Sequence, residues 1–166
     1  MNRALANTRI IKCKRQPPNL KRLLTKSTFT SHEPQVSKCH DSRCALCNYI
    51  IEGNSFNFNG KLFKIKTSMS CDVKNVIYVL VCTGCNQIYI GQTGDMLRHR
   101  RTVHEQQMRD PSTRQMPLSK HLDECSKSEP KFKIFPFYKL FTNSVSARLA
   151  KEEQFINIFQ PQLYFL

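Results

Sequence analysis

The chain switches between stretches whose apolar positions alternate and stretches where they recur with a helical period. Phe56 and Phe58, then Phe63 and Ile65, flank Asn59-Gly60 and predict a small hairpin. Val76-Ile-Tyr-Val-Leu-Val is apolar on both faces, the pattern of a central strand. Gln87-Ile-Tyr-Ile-Gly follows closely and reads as its partner. With Thr83-Gly84 as a two-residue turn, Cys82 would oppose Cys85 and Tyr78 would oppose Tyr89, each pair about 5 Å apart. A helix is predicted from Asp95 to Asp110, stopped by Pro111, and a short one from Pro117 to Glu124. Lys131 to Leu140 alternates as a strand, with Pro136 making it an edge or a bulged one. Asn143 or Ser144 caps a last helix to about Phe159, with Pro161 beyond it. From Val76 the order is strand, strand, helix, short helix, strand, helix.

Length and charge sharpen this picture. The 166 residues, 40% of them hydrophobic, allow one compact domain plus an appendage. The longest apolar run, Val76 to Cys82, is seven residues, which excludes a transmembrane helix from the prediction. The amino end lacks the apolar stretch of a secretory signal, so a nuclear or cytoplasmic protein is expected, and not a secreted one. The formal charge of +14 is uneven: residues 1–32 hold Arg3, Arg9, Lys12, Lys14, Arg15, Lys21, Arg22 and Lys26 and no acid. That segment, with Pro17 and Pro18 and at most a helical turn at Leu20 to Leu24, reads as a solvated tail. It also suits an electrostatic arm for nucleic acid or a nuclear-targeting patch. The organisation expected is a basic arm over 1–37, a cysteine-rich segment over 38–75 and a folded domain over 76–166.

Eight cysteines stand at 13, 39, 44, 47, 71, 82, 85 and 125. In a reducing compartment their spacing is read for metal ligation before disulfides. Cys44-Ala-Leu-Cys47 and Cys82-Thr-Gly-Cys85 each let two thiolates point at one ion from a tight turn. For the second pair, His121 and Cys125 lie one helical turn apart and complete a Cys, Cys, His, Cys zinc site. For the first, Cys39 and Cys71 are the candidates for a second zinc, with His40 in reserve; Cys13 is left over.

Some polar residues occupy positions that a core would claim. On the last helix Val145, Leu149, Phe155, Ile156 and Phe159 form the apolar stripe, and Glu152 falls near its centre, with Glu153 toward the edge. A carboxylate there costs several kcal/mol unless it is paired or binds a metal. Arg100 and His104 share a face of the earlier helix, and Tyr78 and Tyr89 occupy the paired strands. Two phenols, a guanidinium, an imidazole and a carboxylate suit phosphodiester hydrolysis. In that chemistry the carboxylate holds a divalent cation, the guanidinium grips the phosphate and a phenol helps activate water. The plainer alternative is a Glu152–Arg100 salt bridge with tyrosines anchoring the core by their rings.

These residues resemble the GIY-YIG nuclease family. Val76-Ile77-Tyr78 stands for its first motif and Tyr89-Ile90-Gly91 for its second. Leu97-Arg98-His99-Arg100 matches its Leu-x-x-Arg, His104 follows four residues on, and Glu152 carries Phe155, Ile156 and Pro161 at the family's offsets. A closer likeness is to the carboxy-terminal endonuclease of Penelope-like retroelements, which place a CxxC between the two motifs and carry an upstream cysteine cluster. Val76 stands where the family has Gly, Cys125 where a second His is usual, and Tyr164 where an Asn is common. The resemblance implies an α+β fold: a small antiparallel three-stranded sheet flanked by helices, with zinc-binding insertions and the basic arm. It implies a DNA endonuclease, with RNA as a further possible partner and no membrane. Tyr78 and Tyr89 would stand by the water, Arg100 and His104 would contact the scissile phosphate, Glu152 would hold Mg2+ or Mn2+, and zinc would be structural. The rival expectation is a catalytically inactive nucleic-acid-binding zinc module from a decayed element. A zinc-dependent protein-interaction domain is disfavoured by the strand-like run between the CxxC pairs.

Overall fold

The structure is a computed structural model and describes residues 33–58, 60–125 and 129–163. The basic segment over 1–32 and Tyr164 lie outside the described residues. The elements are a 3-10 turn (Ala45–Asn48), β1 (Ser55–Phe58), β2 (Lys61–Lys64), β3 (Val76–Cys82), β4 (Ile88–Thr93), α1 (Leu97–Arg109), α2 (Pro117–Cys125), β5 (Phe132–Lys139) and α3 (Val145–Phe159). The fold is α+β: β4, β3 and β5 make an antiparallel three-stranded sheet in that order, and β1–β2 is a separate hairpin.

β3 is central because it is apolar on both sides, and Val76, Ile77, Tyr78, Val79, Leu80 and Cys82 are all buried. β5 takes the edge, where Pro136 costs least, and its register against β3 slips between Ile77 and Tyr78, leaving a bulge beside the proline. Its far side is partly covered by the cysteine-rich segment, through a parallel bridge between Ile50 and Ile134. α1 lies over the sheet face that carries Tyr78 and Tyr89. α3 packs against β3 and β4, and Phe155 and Phe159 join Phe56, Phe63, Phe135 and Phe137 in one aromatic cluster. Burying such rings contributes about 1.5–3 kcal/mol each. The cysteine-rich segment shares this core, through Leu46, Ile50, Met69, Cys71 and Val73. Val36, placed in the arm by the sequence reading, is 1% exposed and bridges Gly53 and Met69. No helix among the described residues is long and apolar enough to cross a membrane.

Two expectations are corrected here. The β3–β4 turn is not two residues long: Cys82 and Asn86 close a wider loop, with Asn86 in the left-handed region. Tyr78 therefore faces Gly91 and Leu80 faces Tyr89. The shift is two residues, so both phenols keep the same sheet face but sit diagonally instead of opposite. A loop that must turn two thiols toward one point needs this extra backbone. On α3 the amino-terminal half of the expected stripe is wrong: Val145 and Leu149 are 57% and 50% exposed, while Arg148 is 8% exposed. The buried face runs Arg148, Phe155, Phe159, with half-buried Glu152 between.

Candidate active site

Four elements bring the five predicted polar residues together. β3 supplies Tyr78 and β4 supplies Tyr89. α1 supplies Arg100 and His104 from successive turns of one face, and α3 supplies Glu152. α1 is fixed at its start by the backbone: the Leu97 and Arg98 amides, which a helix leaves unpaired, donate to the carbonyls of Val73 and Cys71. Its approach to the sheet is therefore tied to the cysteine-rich segment.

The Tyr78 hydroxyl is the hub. Arg100 Nε donates to it at 2.9 Å, and its oxygen lies 2.7 Å from His104 Nε2. Because a guanidinium can only donate, the phenol uses a lone pair on Arg100 and gives its proton to His104. That assignment requires a neutral imidazole, and the surroundings supply one. His104 is buried among the rings of Tyr78, Tyr89 and Phe132, and its basicity is lowered to about 3 by desolvation and then by the Arg100 charge. Burial also pushes the Tyr78 phenol well above its ordinary value, against the opposing pull of Arg100. Tyr78 is thus a protonated phenol, fully inside the protein, while Tyr89 is half-exposed. The expectation that His104 touches a phosphate is corrected by its 3% exposure: it stands behind Tyr78.

Gly91 makes the phenols converge. A Cβ there would lie 2.7 Å from both the Tyr78 hydroxyl and the Tyr89 ring, so only glycine lets the two rings close over the strand. Glu152 completes the group. Half-burial raises its carboxyl above the usual range, and the Arg100 charge and the Gln92 backbone amide pull it back down. The pull registers that Arg100 and Glu152 share one field, yet they form no direct ion pair within 4.0 Å. The salt-bridge alternative has no support in this geometry.

The other chemistry lies in two sulfur clusters. Cys39, Cys44, Cys47 and Cys71 form one, and Cys82, Cys85, His121 and Cys125 the other; within each, all ligand atoms lie within 4.8 Å of one another. The Cys39–Cys47 and Cys47–Cys71 sulfurs are 3.6 and 3.7 Å apart, and Cys85 Sγ is 3.4 Å from His121 Nε2. A tetrahedral zinc with sulfurs at about 2.3 Å spaces them about 3.8 Å apart, so these donor sets fit that ion. Without a cation the thiols resist ionising together: burial pushes Cys71 far up, and hydrogen bonding to Cys85 and then desolvation hold Cys125 at about 11. A doubly charged ion would reverse both. Gly84 lets the second cluster close, since a Cβ there would sit 2.5 Å from the Cys125 carbonyl oxygen.

Sequence reasoning missed Arg148. Its Nε donates to Gln92 Oε1, and Nη1 donates to Asn75 Oδ1 and to the Asn143 carbonyl. The signal available was its position four residues before Glu152, on the same face of α3.

Residues 74–164 match the family model of the GIY-YIG catalytic domain. No curated protein and no solved structure matches the chain.

Proposed function

The chain belongs to the GIY-YIG nuclease family, and from that premise we propose that it is a metal-dependent endonuclease that nicks DNA, with Tyr78, Tyr89, Arg100, His104 and Glu152 as its working groups. The observation that carries the reading is the Arg100–Tyr78–His104 chain of hydrogen bonds, closed at one end by a buried neutral imidazole. Arg100 is oriented through Nε by Tyr78, and the forked end of its guanidinium grips the scissile phosphate. Tyr89, the more accessible phenol, positions the attacking water. A proton leaving that water passes toward Tyr78, whose own proton has His104 as its acceptor. Tyr78 is then a relay and not a standing phenolate, because burial keeps it protonated. Glu152 is the carboxylate suited to hold Mg2+ or Mn2+. When bound, that ion supplies Lewis-acid stabilisation of charge on the phosphate and the leaving oxygen.

Zinc in the two sulfur clusters is structural in this reading: each cluster offers four protein ligands and leaves no open position for water. Residues 1–32 act as a basic arm giving sequence-independent affinity through counterion release. We further propose, on the paired cysteine motifs, descent from a Penelope-like retroelement, and beside it action in the nucleus or cytoplasm with RNA as a second candidate polymer.

A plasmid-nicking assay with Mg2+ tests the proposal. Wild-type protein should nick, and Arg100→Ala and Glu152→Ala should lose nicking by about a hundredfold or more while retaining DNA binding. Binding without nicking in the wild type would favour an inactive nucleic-acid-binding module.

A further inference from the structure

Arg148 is a guanidinium buried without a counter-charge. Its three acceptors, Gln92 Oε1, Asn75 Oδ1 and the Asn143 carbonyl, are all neutral. No carboxylate lies within 4.0 Å of it among the described residues. It also sits at the positive end of α3, whose first turn carries no acidic residue. Glu152, the nearest acid in sequence, forms no ion pair with it, and Asp95, beside Gly94, is turned to His99 and the Met96 amide. A cation at a helix amino terminus, out of water and unpaired, is unfavourable three times over. A neutral glutamine could tie the same strands together at lower cost, so the charge calls for a partner that binds from outside.

The geometry leaves a place for that partner. Nε and Nη1 are spent on the protein, while Nη2 has no hydrogen-bond partner among the described residues. Nor is Nη2 among the sealed, unsatisfied atoms, so it keeps contact with solvent. Nη2 packs on Gly94, where an added Cβ would lie 2.6 Å away. Gly94 thus lets the guanidinium pack closely against the backbone between β4 and α1. The position adjoins the nuclease site: Gln92 accepts from Arg148 through its side chain and binds the Glu152 carboxyl through its amide.

We propose that Arg148, with its Nη2 unspent at the start of α3, is a second phosphate-binding position, taking a backbone phosphate adjacent to the scissile one. This rests on the nuclease reading and adds to it a register for the strand. Arg100 holds the phosphate that reacts, and Arg148 holds a neighbour, so the strand is gripped at two points across β4.

The test uses full-length protein and a short DNA duplex in which each phosphate near the nick is replaced in turn by a neutral methylphosphonate. Wild-type binding should weaken at the scissile position and at one neighbour, by about tenfold at the latter. In Arg148→Gln the neighbour's effect should vanish, and the slope of log affinity against log salt should shrink by about 0.9. Gly94→Ala keeps the guanidinium but displaces it, since the added Cβ would lie 2.6 Å from Nη2. It should lose the same position while its circular-dichroism spectrum at the assay temperature matches wild type, which keeps the test alive should Arg148→Gln fold poorly. Equal sensitivity at the neighbour in wild type and variants, or no second sensitive position in the wild type, would overturn the proposal even if nicking is intact. A wild type that neither binds nor nicks DNA would remove the nuclease reading and this inference together.

Discussion

Tyr78 shows how much one side chain is asked to do. Its hydroxyl satisfies a buried imidazole and orients a guanidinium, so its loss leaves two polar groups unpaired. Each costs about 1–3 kcal/mol when buried. His104 gives this network a pH signature. An unfolded histidine takes a proton near pH 6.5, whereas this one resists until about 3, because burial and then the Arg100 charge oppose it. Between those values the unfolded chain binds one proton more than the folded one. Stability contributed by the neutral ring is therefore full above about pH 6.5 and declines as pH falls, by about 1.4 kcal/mol per pH unit. Denaturant melts at descending pH should show that slope in the wild type and lose it in His104→Gln. An identical slope in the variant would mean another group is responsible. The identities of these residues were legible in the sequence, but their division of labour was not. Nothing in a string of letters says that Tyr78 is sealed and Tyr89 is half-open.

At the scale of elements, the β3–β4 hairpin joins two tasks that could have conflicted. Its loop must bulge to gather Cys82 and Cys85, and its strands must keep two phenols on one face. A two-residue change of register satisfies both, because side-chain direction repeats every two residues. The phenols meet over Gly91, and the expected outcome of Gly91→Ala follows from the 2.7 Å approaches there. Pushing the rings apart should cost about 1–3 kcal/mol of stability. Nicking should fall more steeply, by about a hundredfold, since positioning is lost. Thermal melts beside nicking rates would check the split; a loss of nicking no larger than the loss of folded protein would argue against it. Other elements were readable for local reasons. Ser144 caps α3 by accepting from the Ala147 amide, as its residue type and place suggested. Pro136 put β5 at the edge with a bulge, because a residue lacking an N–H cannot serve a central strand. The stripe on α3 was misread at Val145 and Leu149, which face solvent in the first turns of the helix. There Arg148, pulled in by Gln92 and Asn75, takes the inward position.

For the whole molecule, each sulfur cluster is tied to an element that carries the candidate site. Cys71 accepts the Arg98 amide through its carbonyl, and Cys125 closes on Gly84 at the β3–β4 loop. If both hold zinc, elemental analysis should find two ions per chain. Cys47→Ser and Cys85→Ser should each remove one. A strong chelator should lower the melting temperature, because the ligands recoil once no cation offsets their charge. Fewer than two zincs in wild-type protein, or a melting temperature indifferent to chelation, would contradict the structural role. The sequence alone determined the order of strands and helices, the two CxxC pairs that seed the clusters and the five polar residues of the candidate site. Those follow from period, spacing and residue chemistry, which act over a few neighbours. Only the tertiary structure decided the hairpin register, the burial of His104, the folding of residues 33–75 into the common core and the inward turn of Arg148. These depend on how much room packed elements leave one another, and that competition for space is settled between segments far apart in the chain.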